Sequence, residues 1–132
     1  ITWKLDIKKN KIKPSKKDLF FAVKNFEINT IKAIEASKTH DVKEFFIISL
    51  FYDDTQFDGL EKYRFFLYDK TIKSIRNNYS PFVKIIDLDE AFKNVDKENL
   101  LCDPVHQTSI GNKLQAEFII NELTQKSRMI NE

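Results

Sequence analysis

Apolar residues follow a helical spacing in the first third of this chain. Between Ser15 and about Lys38 they recur every three or four positions, which predicts an amphipathic helix with one buried face. The buried positions expected are Leu19, Phe20, Val23, Phe26, Thr30, Ile31 and Ile34. Ser15 precedes Asp18 by three residues, the spacing of a capping box, so we expect the helix to begin there.

Two further helices are predicted in the same way. Asp58 and Glu61 repeat the capping spacing, and the Ser80-Pro81 pair marks the end of the second helix. The residues expected on the apolar face of this second helix are Leu60, Leu67, Tyr68, Thr71, Ile72 and Ile75. The last helix is expected to start around Ser109. It should bury Leu114, Phe118, Ile119 and Leu123.

A continuous apolar run occupies residues 45–51, which is typical of a central parallel strand covered on both faces. Residues 82–86, Phe-Val-Lys-Ile-Ile, predict a second strand that ends at Asp87. Residues 1–7 predict a short strand or an extended loop, and residues 89–99 a charged helical turn and loop. The resulting order is α-β-α-β-loop-α with a possible strand in front, which indicates an α/β fold with right-handed crossovers and a parallel sheet.

Composition narrows the functional classes. The 132 residues suit a single compact unit, with 42% hydrophobic and 32% charged residues. No apolar run approaches the roughly 18 residues of a membrane-spanning helix. A net charge of +2 is too small to indicate nucleic acid, and the lysine-rich segment at residues 8–17 favours a solvated loop.

Candidate chemistry lies where parallel strands end, since α/β proteins place their sites at the carboxyl edge of the sheet. The loop after the second strand contains Asp103 and His106. A carboxylate three residues before a histidine, in a loop stiffened by Pro104, can accept the Nδ1–H bond and leave Nε2 free as a base. Taken alone, such a pair is more often a turn-capping aspartate beside an exposed histidine.

The loop after the first strand offers weaker candidates. Asp53 and Asp54 could border a substrate cleft, although a solvated loop is their default interpretation. Tyr52 and Phe57 could form an apolar wall for an acyl group, and an ordinary packing role is again the default. His40 is expected to be an exposed turn residue at the opposite end of the sheet.

The sequence does not support a cofactor or a metal. One usable histidine with scattered carboxylates makes no metal-ligand set. Gly59 and Gly111 belong to no glycine-rich phosphate-binding pattern, although Gly111 would allow close backbone approach beside the candidate loop. Cys102, the single cysteine, cannot form an internal disulfide, and we expect it to be a small buried residue rather than a nucleophile.

The segment from residue 103 to residue 119 carries a resemblance to a family. It reads Asp-Pro-Val-His-Gln-Thr-x-x-Gly-Asn-x-x-x-Ala-Glu-x-Ile, which resembles the last conserved block of SGNH (GDSL) hydrolases. The preceding helices and strands occur in the family's order, but only this block is specific. The resemblance implies a three-layer αβα fold with a parallel, flavodoxin-like sheet, of which this chain is the C-terminal part. It also implies an esterase in which His106 is the general base and Asp103 its orienting partner.

The nucleophile of that family is not found in the chain. Its Gly-Asp-Ser motif and its Gly-x-Asn-Asp oxyanion motif have no counterpart here, and each serine of the chain suits a structural position. We therefore expect the serine in an N-terminal part of the same protein, with this chain inactive alone. The expected substrate is a small-molecule, carbohydrate or lipid ester. The alternative is a non-catalytic α/β binding or scaffolding module.

Overall fold

A computed structural model describes residues 14–131, with side chains as far as residue 125. The strand or loop expected at residues 1–7 lies outside this range. The elements are α1 (Lys16–Thr39), β1 (Phe45–Ser49), a 3-10 turn (Asp54–Gln56), α2 (Gly59–Tyr79), β2 (Val83–Asp87), α3 (Leu88–Ala91), α4 (Lys97–Leu100) and α5 (Ser109–Asn131). The predicted order of helices and strands is confirmed over these residues, and the charged segment after β2 forms the short helices α3 and α4.

Both predicted capping boxes are present. The Asp18 N–H donates to Ser15 Oγ at 3.2 Å, and the Ser15 N–H donates to Asp18 Oδ2 at 2.8 Å. At the start of α2, the Glu61 N–H donates to Asp58 Oδ1 at 2.8 Å and the Asp58 N–H donates back to Glu61 Oε2 at 3.2 Å. These bonds satisfy main-chain donors that have no partner inside the helix, which is why both helices begin where the sequence indicates.

The sheet of the described residues has two parallel strands. The register pairs Phe45 with Val83 and ends with Ser49 beside Asp87. The expected three-layer flavodoxin-like sheet is therefore not present in residues 14–131, and β1 is not a central strand there. Ile48 of β1 is 43% exposed, so the expected cover on both faces is incomplete. An unbroken apolar run predicts where side chains can be buried but does not fix how many neighbouring strands exist.

Helices pack on both faces of this small sheet. Successive side chains of a strand point to opposite faces, so Phe46 and Ile47 contact different clusters. The cluster between the sheet, α1 and α2 contains Ile34, Ile47, Ile75 and Val83, with Ile31, Phe45, Ile72, Tyr79 and Phe82 around them. The cluster on the other face contains Phe51, Ile86, Leu88, Phe92, Leu100 and Leu101, with Phe46, Phe118 and Ile119 packed against them.

Three helix side chains predicted to be buried are exposed instead. Phe20 of α1 is 56% exposed, and Leu114 and Leu123 of α5 are 36% and 37% exposed. Helical spacing defined a wider apolar face than the neighbouring elements cover. The buried face of α1 includes Leu19. Phe20, the next residue, points about 100° away from Leu19 around the helix axis and therefore leaves that face.

Candidate functional site

The candidate residues lie in a short closed loop between α4 and α5. Leu101 and Gln107 form an antiparallel bridge at its base. The Cys102 N–H donates to the His106 carbonyl oxygen at 2.9 Å, and the Thr108 N–H donates to the Leu100 carbonyl oxygen at 2.9 Å. These main-chain bonds close the loop, so residues 103–106 project from it in a defined conformation.

Asp103 is bonded to its own loop through both carboxylate oxygens. Its Oδ2 lies 2.6 Å from His106 Nδ1, the contact that the three-residue spacing predicted. Its Oδ1 accepts the N–H of Val105 at 2.9 Å and the N–H of His106 at 2.8 Å. The bond from the Val105 N–H, the bond from the His106 side chain and the bond from the His106 N–H lower the pKa of Asp103 to about 2. The carboxylate is therefore ionised at neutral pH.

The imidazole of His106 has one occupied and one open nitrogen. Its Nδ1 faces the carboxylate, so in the neutral ring the proton lies on Nδ1 and the lone pair on Nε2. Nε2 makes no hydrogen bond within residues 14–125. The side chain of His106 is 75% exposed, compared with 48% for Asp103. A nucleophile, a substrate or water can therefore reach Nε2.

Gly111 and Thr108 hold the loop against α4 and α5. A Cβ atom on Gly111 would lie 2.2 Å from the Leu100 carbonyl oxygen, so the predicted close backbone approach at this glycine is confirmed. The Thr108 hydroxyl donates to the Asn99 carbonyl oxygen at 2.9 Å and accepts the Gly111 N–H at 3.0 Å. The helix begins at Ser109 as predicted, whereas the role of Thr108 was not predicted from the sequence. The signal was a threonine three residues before the glycine, an N-cap spacing.

The loop that leaves β1 is attached to the loop of the candidate residues. The Asp53 N–H donates to the Pro104 carbonyl oxygen at 2.9 Å. Lys97 Nζ donates to the Tyr52 carbonyl oxygen at 2.9 Å and lies 3.5 Å from Asp89 Oδ1. The two loops expected at the carboxyl edge of the sheet are therefore in direct contact.

The carboxylate of Asp53 has a structural role in this loop. It accepts the N–H of Thr55 at 3.1 Å and the hydroxyl of Thr55 at 2.7 Å, and these bonds lower the pKa of Asp53. Asp54 is exposed and begins the 3-10 turn. Both findings agree with the default interpretation of a solvated loop for this pair.

Tyr52 and Phe57 stack on each other with ring centroids 5.7 Å apart. Phe65 of α2 contacts both rings, at 4.3 Å from Tyr52 and 4.8 Å from Phe57. Tyr52 and Phe57 are candidates from the sequence, whereas Phe65 is not. Its position on α2 becomes adjacent only when the chain folds.

Cys102, Ser49 and His40 have no part in the contact between Asp103 and His106. The prediction that Cys102 is buried is wrong, because its side chain is exposed with Sγ 3.3 Å from the His106 carbonyl oxygen. Ser49, at the end of β1, donates to Asp87 Oδ1 at 3.1 Å and accepts the Leu88 N–H at 3.2 Å, a structural role. His40 is an exposed residue at the end of α1, before the amino end of β1, as expected.

Within residues 14–131, no group of three or more His, Cys, Asp or Glu side chains could hold a metal ion. Over the same range, no helix has both the length and the apolar character needed to cross a membrane. A surface depression on α2, bordered by Phe66, Lys73 and Asn77, includes neither Asp103 nor His106.

Comparison with known proteins adds no relative. No family model matches the chain, and neither the curated proteins nor the solved structures include a significant match.

Proposed function

We propose that this chain supplies the histidine and aspartate of a Ser-His-Asp triad in a carboxylic-ester hydrolase of the SGNH type. The observation that carries the proposal is the 2.6 Å contact between Asp103 Oδ2 and His106 Nδ1, in a loop whose own N–H groups hold the other carboxylate oxygen. This arrangement orients the imidazole and leaves Nε2 free, which is what a general base requires.

The serine would come from a part of the protein outside this chain. Its hydroxyl oxygen attacks the ester carbonyl carbon while His106 Nε2 takes the hydroxyl proton. The ionised Asp103 stabilises the resulting imidazolium. When the tetrahedral intermediate collapses, the same proton passes from Nε2 to the leaving alcohol oxygen. In the second half, His106 removes a proton from water, the hydroxide oxygen attacks the acyl-enzyme, and the proton returns to the serine.

The fold supports a further part of the proposal. Parallel strands with helices on both faces are compatible with the C-terminal part of a larger αβα domain with a flavodoxin-like sheet. The exposed Ile48 and Leu50, at 43% and 62%, are apolar surface that additional strands or helices would cover. The partners proposed are therefore the N-terminal part of the same domain and a small-molecule, carbohydrate or lipid ester.

Labelling with a fluorophosphonate probe tests this proposal, because such probes react with activated serines. In the complete protein that contains this chain, we expect one labelled serine, lying outside residues 1–132. His106→Ala should abolish the labelling. His40→Ala, which changes the other histidine of the chain, should leave it intact. If the wild-type protein is not labelled, the proposal fails and a non-catalytic α/β binding or scaffolding module is favoured, with which the open exposure of His106 is compatible.

A further inference from the structure

Three aromatic side chains form a cluster apart from the two hydrophobic cores. Tyr52 follows β1, Phe57 follows the 3-10 turn and Phe65 lies on α2, with ring centroids between 4.3 and 5.7 Å apart. None of the three belongs to either core cluster. All three side chains are half-buried, so the cluster retains apolar surface that solvent can reach.

The cluster is fixed next to the loop of Asp103 and His106. Tyr52 directly precedes Asp53, whose N–H is bonded to the Pro104 carbonyl oxygen at 2.9 Å. Pro104 itself lies between Asp103 and His106 in the sequence. One main-chain hydrogen bond therefore joins the segment that contains Tyr52 to the loop that contains His106.

The backbone of this segment is held without the rings. Lys97 Nζ binds the Tyr52 carbonyl oxygen at 2.9 Å, and the Asp53 carboxylate caps the turn through Thr55. The Phe57 N–H closes the turn by donating to the Asp54 carbonyl oxygen at 3.1 Å. The loop backbone therefore has polar contacts of its own that do not involve the three rings.

We infer that Tyr52, Phe57 and Phe65 form the binding wall for the apolar part of the ester substrate. This inference rests on the proposed function. Ligand sites in proteins are lined mainly by apolar and aromatic side chains, with few polar groups near the reacting atoms. Flat rings offer a large contact area at a small entropic cost, since each has only two side-chain torsions. Burial, followed by the charges of Asp89 and Asp54, raises the pKa of Tyr52, so this ring stays uncharged.

Substrate selectivity in the complete protein tests the inference. Phe65→Ala should lower kcat/KM for p-nitrophenyl octanoate by about 10-fold and change kcat/KM for p-nitrophenyl acetate by less than about 2-fold, because only the longer ester reaches the wall. Phe66→Ala is the matched control, since Phe66 is the next residue of α2, is 59% exposed and is not one of the stacked rings of the cluster. This control should leave both values unchanged.

A second pair of substrates identifies which side of the ester is bound. Because the wall is expected to bind the acyl chain, Phe65→Ala should leave the preference for benzyl acetate over ethyl acetate unchanged. Should Phe65→Ala fail to fold, Phe65→Leu keeps apolar volume without the flat ring, and we expect it to lower the affected preference about 3-fold.

The outcomes separate the two proposals. A wild-type protein that hydrolyses acetate, with a Phe65 variant that retains every preference, overturns the binding wall and leaves the esterase intact. A parallel loss for all substrates likewise overturns it, because the cluster then has only a structural role. A wild-type protein that hydrolyses none of these esters contradicts the proposed function itself.

Discussion

The main-chain N–H of Asp53 is bonded to the carbonyl oxygen of Pro104 at 2.9 Å, across fifty residues of sequence. This bond joins the loop that leaves β1 to the loop that holds the aspartate-histidine pair. It therefore couples the position of His106 to the sheet, in addition to the contacts that Thr108 and Gly111 make at the start of α5.

Removing the N–H of Asp53 should loosen the loop of His106. Asp53→Pro deletes the donor, and we expect the amide protons of Val105 and His106 to exchange with solvent about 10-fold faster as local opening becomes easier. The measurement is hydrogen exchange followed by NMR. Asp53→Ala keeps the N–H and removes only the carboxylate cap, so the difference between the two variants reports on the bond.

A proline at the next position is a second control for that experiment. Asp54 is the first residue of the 3-10 turn, where proline is tolerated, and Asp53 before it is already extended. We expect Asp54→Pro to exchange at the wild-type rate. Equal exchange at Val105 and His106 in the Asp53→Pro and Asp53→Ala variants would contradict the coupling between the two loops.

Gly111→Ala should destabilise the protein. The new Cβ would meet the Leu100 carbonyl oxygen at 2.2 Å, so either α4 or the start of α5 must shift. We expect the free energy of unfolding in urea to fall by about 2 kcal/mol, within the range of overpacking substitutions. Gly59→Ala is the matched control, because nothing lies within 4 Å of its Cβ position and alanine is the better helix former.

The expected result for Gly59→Ala is a free energy of unfolding equal to or up to about 1 kcal/mol above the wild type. A Gly111→Ala variant as stable as Gly59→Ala would mean that the loop is not packed against α4 as described.

Asp103 should titrate well below an ordinary aspartate. Its pKa is lowered from 3.8 to about 2, because the folded loop donates three hydrogen bonds to the ionised form. A lowered folded-state pKa contributes stability that is present above the unfolded value and is lost as pH falls from about 4 towards 2. The measurement is the carbonyl carbon shift of the Asp103 carboxyl by NMR, with its midpoint expected near 2.

The cause of that shift can be tested separately. The Val105 N–H is the largest contribution, so His106→Ala should keep part of the lowering and leave the midpoint below 3.8. A wild-type midpoint at 3.8 or higher would show that the carboxylate is not bonded to its loop in solution.

Local features of this protein could be predicted from its sequence. The capping pairs Ser15–Asp18 and Asp58–Glu61, and the contact between Asp103 and His106, each span three residues. Interactions over so short a distance depend mainly on residue type and spacing, with little contribution from the rest of the fold. The close approach at Gly111 to the Leu100 main chain was predictable for a different reason, since only glycine lacks the Cβ atom that would prevent it.

Features that depend on tertiary packing could not be predicted. The bond from Asp53 to Pro104 and the contacts of Phe65 join segments that are distant in sequence. The exposure of Phe20 depends on how much of α1 the neighbouring elements cover. Similarly, Cys102 is apolar enough to suit a core, but the closed loop directs it outward. The apolar residues of β1 likewise do not determine how many strands lie beside it.

Ester turnover by two histidine variants of the complete protein tests the central claim most directly. If His106 is the general base, His106→Ala should lower kcat/KM for p-nitrophenyl acetate by about 10³-fold or more with little effect on folding, as expected for the loss of a triad member. His40→Ala, a change to an exposed histidine at the end of α1, should leave turnover unchanged. Wild-type turnover by a folded His106→Ala variant would contradict the catalytic role of the pair.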